Sequence, residues 1–359
     1  MSESFLAIVR KRTRDAATDA AADLRTELEA ALCDIAARTD AHERCIILSG
    51  GVDTCAILAA AKAQRITFAM ALTVITGLSS PDKDFATAAA KEHSLAHHMI
   101  EVTSADLVEE YLPACAKLLH TFDGMTLRNS LVVAAAMRKA SELGCKHAVV
   151  GDGADELFGG YSFMWGCEGN PDEWRERRDK MCAQWTFATS QLASSHGLTS
   201  HSPYTEPRFV EWAIANTGRS DCIGTRPIRL TRMGEAISHL CGKLVLREAY
   251  QTISSWRRKD PIEVGSGITV IGKDEYWASL ISDDEFASAK ADMLQRGYAL
   301  INKEHLANFR AFEKAFGADG ARHPTKKRLG LGNGCAGCCF EIGEATWCDV
   351  CGAYPAQRS

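Results

Sequence analysis

Short apolar runs alternate with helical patterns along the first half of the chain. Cys45–Leu48, Ile66–Ile75, His98–Val102 and His147–Val150 read as buried strands. Between them, Asp53–Ala63, Pro81–His93, Ser104–Leu119 and Leu127–Leu143 space their apolar residues as helices do. Strands alternating with helices predict an α/β fold, a parallel twisted sheet with helices on both faces. Ahead of it, Asp15–Ala37 places Leu24, Leu28, Leu32 and Ile35 on one stripe, which predicts an amphipathic helix docked on the α/β core. From Asn170 to about Gly317 the pattern is mainly helical, with Trp174, Trp185, Trp212 and Trp256 available for a second core. Arg322–Asn333 is polar, basic and glycine-containing and reads as a linker. The expected organisation is a helical segment over 1–40, an α/β core over 41–170, a helical part over 171–320, and a linker with a cysteine tail over 321–359.

Charge and composition narrow the function classes. Forty-one basic residues against 46 acidic ones give a net charge of −5, which argues against a general nucleic-acid binder. No apolar run reaches the ~20 residues of a membrane helix. Met1–Arg14 shows no signal-peptide core, so the expected location is cytoplasmic. Nine of the 14 cysteines are scattered between Cys33 and Cys241 in apolar or helical settings, where a free thiol acts as a small hydrophobe. The other five crowd into the tail.

Two loops carry candidate chemistry, and both leave strands at the edge where open α/β sheets bind ligands. Ser49-Gly50-Gly51-Val52-Asp53-Thr54 comes directly after a strand and opens a helix. Its glycines let the backbone approach an anion, and the helix-start N–H groups favour phosphate. Asp53 would repel phosphate unless Mg²⁺ lies between them. The alternative is a glycine turn with an N-capping Asp or Ser. The second loop, Gly151-Asp152-Gly153-Ala154-Asp155-Glu156-Leu157-Phe158-Gly159-Gly160-Tyr161, holds three carboxylates within five residues. Clustered acids call for a cation; the alternative is a solvated acidic turn at a helix start.

Together these loops resemble the synthetase domain of the asparagine synthetase family, within the PP-loop nucleotide α-hydrolases. Ser80-Pro81-Asp82, His97–Val102, Leu127-Arg128-Asn129-Ser130, Pro203-Tyr204-Thr205-Glu206, Lys243–Tyr250, Trp256-Arg257-Arg258-Lys259 and Asn302–Gly317 extend the similarity from about residue 41 to 317. The resemblance implies a ligase that adenylates a carboxylate with ATP, releases pyrophosphate and transfers ammonia or an amine. It implies Mg²⁺ on Asp53 and Asp155, pyrophosphate on Ser49, Gly50, Gly51 and Thr54, and adenine beside Leu48, Val74 and Gly151. Lys259 would neutralise pyrophosphate, and Asp152 would orient the incoming amine or take its proton. His97 and His98, like Phe158 and Tyr161, read as structural residues.

Three departures qualify this expectation. Glutamine-using members begin with a processed cysteine and a glutaminase domain, whereas here Ser2 stands after Met1. The expected nitrogen source is therefore free ammonia, a separate ammonia-supplying subunit, or another amine. Val150 stands where the family commonly has serine, and Tyr204-Thr205-Glu206 departs from the family's Pro-Phe-Leu-Asp-like stretch. A homodimer stays open as an assembly.

The tail presents Cys335-x2-Cys338 and Cys348-x2-Cys351, nine residues apart, which suits a tetrahedral zinc ion. Cys339 is a candidate substitute for Cys338. The expected zinc is structural; an iron–sulfur cluster, a redox pair or an RNA-contacting ribbon beside Lys326-Lys327-Arg328 are the alternatives. Two further functions stand beside the ligase: an RNA-modifying ATP pyrophosphatase that grips RNA with the tail, and a non-catalytic nucleotide-binding subunit.

Overall fold

The computed structural model describes residues 20–77 and 80–357. The reading of Met1–Arg14, Ser2 and the start of the helix expected over Asp15–Ala37 lie outside the described residues. The chain forms two compact units. The described residues up to Thr73, with Pro81–Ile100 and Ala136–Pro261, make the first; those of Val74–Ser80, Glu101–Ala135 and Ile262–Ser359 make the second.

In the first unit helix α1 (Ala20–Ala37) buries Leu24, Leu28, Leu32 and Ile35 completely, as their spacing predicts. Strands β1 (Arg44–Ile47), β2 (Met70–Ile75), β3 (His97–Glu101), β4 (His147–Val149) and β5 (Thr199–His201) form one sheet in the order β3-β2-β1-β4-β5. β1 pairs in parallel with β2 and β4, and β4 in parallel with β5. The expected parallel sheet is present, with β5 added. That strand is three polar residues long, too short to carry an alternation. The order reverses between β1 and β4, and the two glycine loops leave the sheet there.

Two expectations need correction, and a third is refined. The second strand begins at Met70, not at Ile66. Helix α2 (Val52–Ala63) ends with Arg65 in the left-handed region, and the Ile66 N–H closes back on the Ala61 carbonyl at 2.8 Å. Ile66 is therefore the apolar residue just past a helix-terminating turn. The stretch expected to be mainly helical is so, and it holds one antiparallel hairpin, β6 (Gly224–Arg229) with β7 (Ala236–Cys241). Its outer face is exposed, so neither strand shows the buried run by which a strand is recognised. Finally, Trp174 is buried in the same core as the sheet, and Trp185 and Trp212 pack against it, so these rings build no second core.

The second unit centres on aromatic packing. Phe122 stacks on His305 at 5.0 Å and meets the edges of Phe309 and Tyr298. The cysteine tail is stitched to this core: the Phe122 N–H donates to the Val350 carbonyl at 2.8 Å, and the Thr121 hydroxyl to Asp349 O at 2.7 Å. The polar stretch before the tail is fastened as well. Arg328 lies 4.3 Å from the Tyr298 ring centroid and donates to Cys338 O at 3.1 Å, and Lys326 pairs with Asp349. None of the 14 cysteines is in a disulfide. Among the described residues no helix is long and apolar enough to cross a membrane.

Candidate functional site

The site is assembled in the first unit where β1 and β4 diverge. After β1 and the buried Leu48, Gly50 turns with φ +64°. A Cβ there would lie 2.3 Å from Ala86 N and 2.6 Å from Phe85 C, so only glycine fits. The Ser49 hydroxyl accepts the Gly51 N–H at 3.2 Å and lies 3.4 Å from the Thr54 hydroxyl. α2 starts at Val52 with Asp53 in its first turn. Ser49, Gly50, Gly51 and Thr54 thus gather hydroxyls and backbone N–H groups at the positive end of a 12-residue helix.

This loop is held from behind by a residue whose role the sequence left open. Arg257 donates to Ser49 O at 3.2 Å and Gly50 O at 3.0 Å, pairs with Asp82 at 2.6 Å and stacks on Phe85 at 4.4 Å. Ser254 adds a hydroxyl bond to Gly50 O at 2.6 Å. Buried Arg247 in turn donates to Ser255 O at 2.7 Å and Arg257 O at 2.8 Å, which fixes the turn that leads to Lys259.

After β4, Gly151 approaches Asp53 so closely that a Cβ would lie 3.0 Å from the Asp53 Cβ. Helix α3 (Ala154–Phe158) then carries Asp155 in its first turn. The two aspartates converge on Lys243, which sits just ahead of helix α4 (Leu244–Ala249). Its buried Nζ lies 2.8 and 2.6 Å from the two Asp53 carboxylate oxygens and 2.8 Å from Asp155 Oδ1. Lys259 Nζ is 3.7 Å from the same Asp155 oxygen and 5.2 Å from the Tyr161 ring centroid. Lys243 escapes a reading of the sequence because KLVLREAY has the pattern of an ordinary helix start. The one local sign is Gly242, whose Cβ would fall 1.8 Å from the Gly159 carbonyl. That close approach lets the Lys243 N–H bond Phe158 O at 2.8 Å and brings its side chain under both loops.

The electrostatics arise from this packing. Burial pushes the Asp53 carboxyl up, and Asp155 adds to the shift against the pull of Lys243. Burial would raise Asp155 too, but Lys243 and Lys259 outweigh it and hold it below the usual range. Asp152 is pushed up to about 6, by burial first and then by the facing carboxylates of Glu156, Asp155 and Asp53, against a hydrogen bond from Thr189. The structure therefore brings together Ser49, Gly50, Gly51, Asp53, Thr54, Gly151, Asp152, Asp155 and Lys259. Val74 is buried near the end of β2, among residues of the second unit. His97 bonds the Thr73 hydroxyl at 2.9 Å, and Phe158 is fully buried.

The tail cysteines also converge. The sulfurs of Cys335, Cys338, Cys348 and Cys351 are buried and lie within 4.8 Å of one another. Cys335 and Cys351 are 3.6 Å apart, Cys338 and Cys348 3.7 Å. A tetrahedron of thiolates about 2.3 Å from zinc has edges of about 3.8 Å, so the donor set fits one tetrahedral ion. Cys339 points away and donates to Gly297 O at 3.5 Å.

Residues 24–180 match the asparagine synthase family model. Asparagine synthetase B (glutamine-hydrolysing) of Escherichia coli is 26% identical over 270 residues, 68% of this chain and 45% of that protein. The asparagine synthetase (glutamine-hydrolysing) of Zea mays is 24% identical over 299 residues, 77% of this chain and 48% of its own. The chain thus spans about half the length of the curated relatives it matches. Among solved structures, the NMN synthetase from Francisella tularensis is matched over 49% of this chain and 92% of its own, at 15% identity and a TM-score of 0.30. Residues 24–180 form a domain of the asparagine synthase family.

Proposed function

We propose that the protein is an ATP-dependent amide-forming ligase. In this reading a carboxylate oxygen bonds to the α-phosphorus of ATP and pyrophosphate leaves. Ammonia or an amine then attacks the acyl carbon and AMP leaves. The observation that carries the reading is the meeting of Asp53, Asp155, Lys243 and Lys259 where the two glycine loops leave β1 and β4.

Each residue has a task that its surroundings suit. The Ser49–Thr54 loop would hold pyrophosphate through N–H and hydroxyl donors. Leu48 and Gly151, both of the first unit, remain proposed for adenine. Asp53 and Asp155 are close enough to share one ammonium, and two carboxylates with phosphate oxygens suit Mg²⁺. Magnesium, when bound, supplies positive charge against the leaving pyrophosphate. Lys243 holds the two carboxylates in register, and Lys259 stabilises negative charge as pyrophosphate departs. Asp152 would take a proton from the incoming amine. The four tail thiolates would hold a structural zinc, since sulfurs this close leave room for one ion and not for a multi-iron cage. The RNA-modifying alternative has less support, because Lys326 and Arg328 are engaged within the second unit.

The test is pyrophosphate release from Mg-ATP with small carboxylates plus ammonium, against bulk RNA. Release that depends on a carboxylate and falls at least ~100-fold in Asp53→Ala, with folding intact, is expected. Release with RNA alone would transfer the case to the RNA-modifying reading, and silence with both, despite ATP binding, to a non-catalytic subunit.

Asp152 also sets an expected pH profile. Only the ionised carboxylate accepts a proton, so the rate is expected to rise as pH passes through about 6 and then level off. Asp152→Asn should lower the plateau and remove that limb. A limb unchanged in the variant would exclude Asp152 as the base.

A further inference from the structure

A cavity of ≈ 260 Å³ opens in the first unit beside Lys259, at the small end of ligand clefts. Its wall is aromatic. Tyr161, read from the sequence as a packing residue, turns its ring to Lys259 on one side. Phe163 stacks on it at 5.3 Å with the planes 7° apart, yet is 69% exposed. Trp165 is anchored by its indole N–H to Gly159 O at 2.9 Å and meets His239 of the β6–β7 hairpin edge-on at 6.0 Å. Buried Ile228, from the same hairpin, completes an apolar side.

The cations around this cavity are unequally committed. Arg258 is paired with Asp260 at 2.8 Å. Arg247 is buried and spends its N–H groups on the carbonyls of Gly242, Ser255 and Arg257. Lys259 has its carboxylate partner only at 3.7 Å. One carboxylate can thus be matched at Lys259 until it bonds to the α-phosphorus, after which the same ammonium faces the departing pyrophosphate. A second carboxylate on the same ligand would enter the aromatic part, where Arg258 and Arg247 are already engaged. We propose that this cavity binds a small aromatic monocarboxylate, its ring against Tyr161, Phe163 and Trp165 and its carboxylate at Lys259. This rests on the ligase reading, for which it names the acid: a flat aromatic one in place of aspartate.

The test is isothermal titration calorimetry on the full chain with Mg²⁺ and a non-hydrolysable ATP analogue. Phenylacetate and indole-3-acetate are compared with succinate and L-aspartate. The aromatic acids are expected to bind at least tenfold more tightly than either dicarboxylate. Phe163→Ala, at a position too exposed to affect folding, is expected to weaken them roughly tenfold. Tighter binding of aspartate or succinate, or aromatic binding unchanged in Phe163→Ala, would overturn the assignment. Pyrophosphate release driven by aspartate alone removes the pocket and keeps the ligase. Aromatic binding that Phe163→Ala weakens, with no acid driving release, keeps the pocket and removes the ligase.

Discussion

Lys243→Met is expected to destabilise the first unit by about 3–5 kcal/mol and to abolish measurable pyrophosphate release. The wild-type ammonium is buried and faces two carboxylates within 2.8 Å. Removing it leaves Asp53 and Asp155 facing each other, with Lys259 3.7 Å from Asp155. Urea unfolding of wild type and variant at pH 7.5 reads the difference, and adding Asp53→Asn to the variant should restore much of it by removing the repulsion. The acid side gives an independent check. Asp155 has its pKa depressed in the folded state, so its contribution is present above the unfolded carboxylate value of ~3.9 and lost as pH falls through the folded one. Without Lys243 that pKa rises, and this part of the acid-side loss should shrink. A variant as stable as wild type would mean that the two carboxylates are not held together by this lysine.

The second large effect concerns the tail. The purified chain is expected to carry about one zinc, and Cys348→Ser or Cys335→Ser to carry none, while Cys339→Ser keeps it. Metal analysis under reducing conditions decides this. Structural zinc sites of four thiolates contribute on the order of 10 kcal/mol in small modules. Chelation should therefore lower the unfolding temperature by at least ~10 °C, because the tail is bonded to Thr121 and Phe122 at the centre of the aromatic core. Iron in place of zinc would redirect the assignment to a redox centre; loss of metal in Cys339→Ser would show that the ligand set is wrong.

The sheet and its loops were legible because their signals are local. A buried parallel strand reads as an apolar run, and a glycine loop between strand and helix marks a point where the backbone packs too closely for a side chain. The CxxC pairs were legible for the same reason, since each knuckle is complete within four residues. The hairpin β6–β7 was not, because most of its residues are exposed and its strands carry no core stripe. Nor was Lys243, whose meaning comes from residues 190 and 88 positions away in the chain. The tryptophans misled for a related reason. Aromatic content shows that a core exists, but not whether it is a new one or an extension of the first.

Arg257 acts on more than the position of the first glycine loop. A peptide unit carries its C=O and N–H on opposite sides, so fixing the Ser49 and Gly50 carbonyls from behind also fixes which way the next two N–H groups point. In the ligase reading, the Gly50 N–H and the Ser49 hydroxyl, which accepts the Gly51 N–H, would thereby meet a phosphate in a fixed orientation. Such dipoles act at contact distance, so added salt should weaken the contribution of half-exposed Lys259 well before it weakens the grip of the loop.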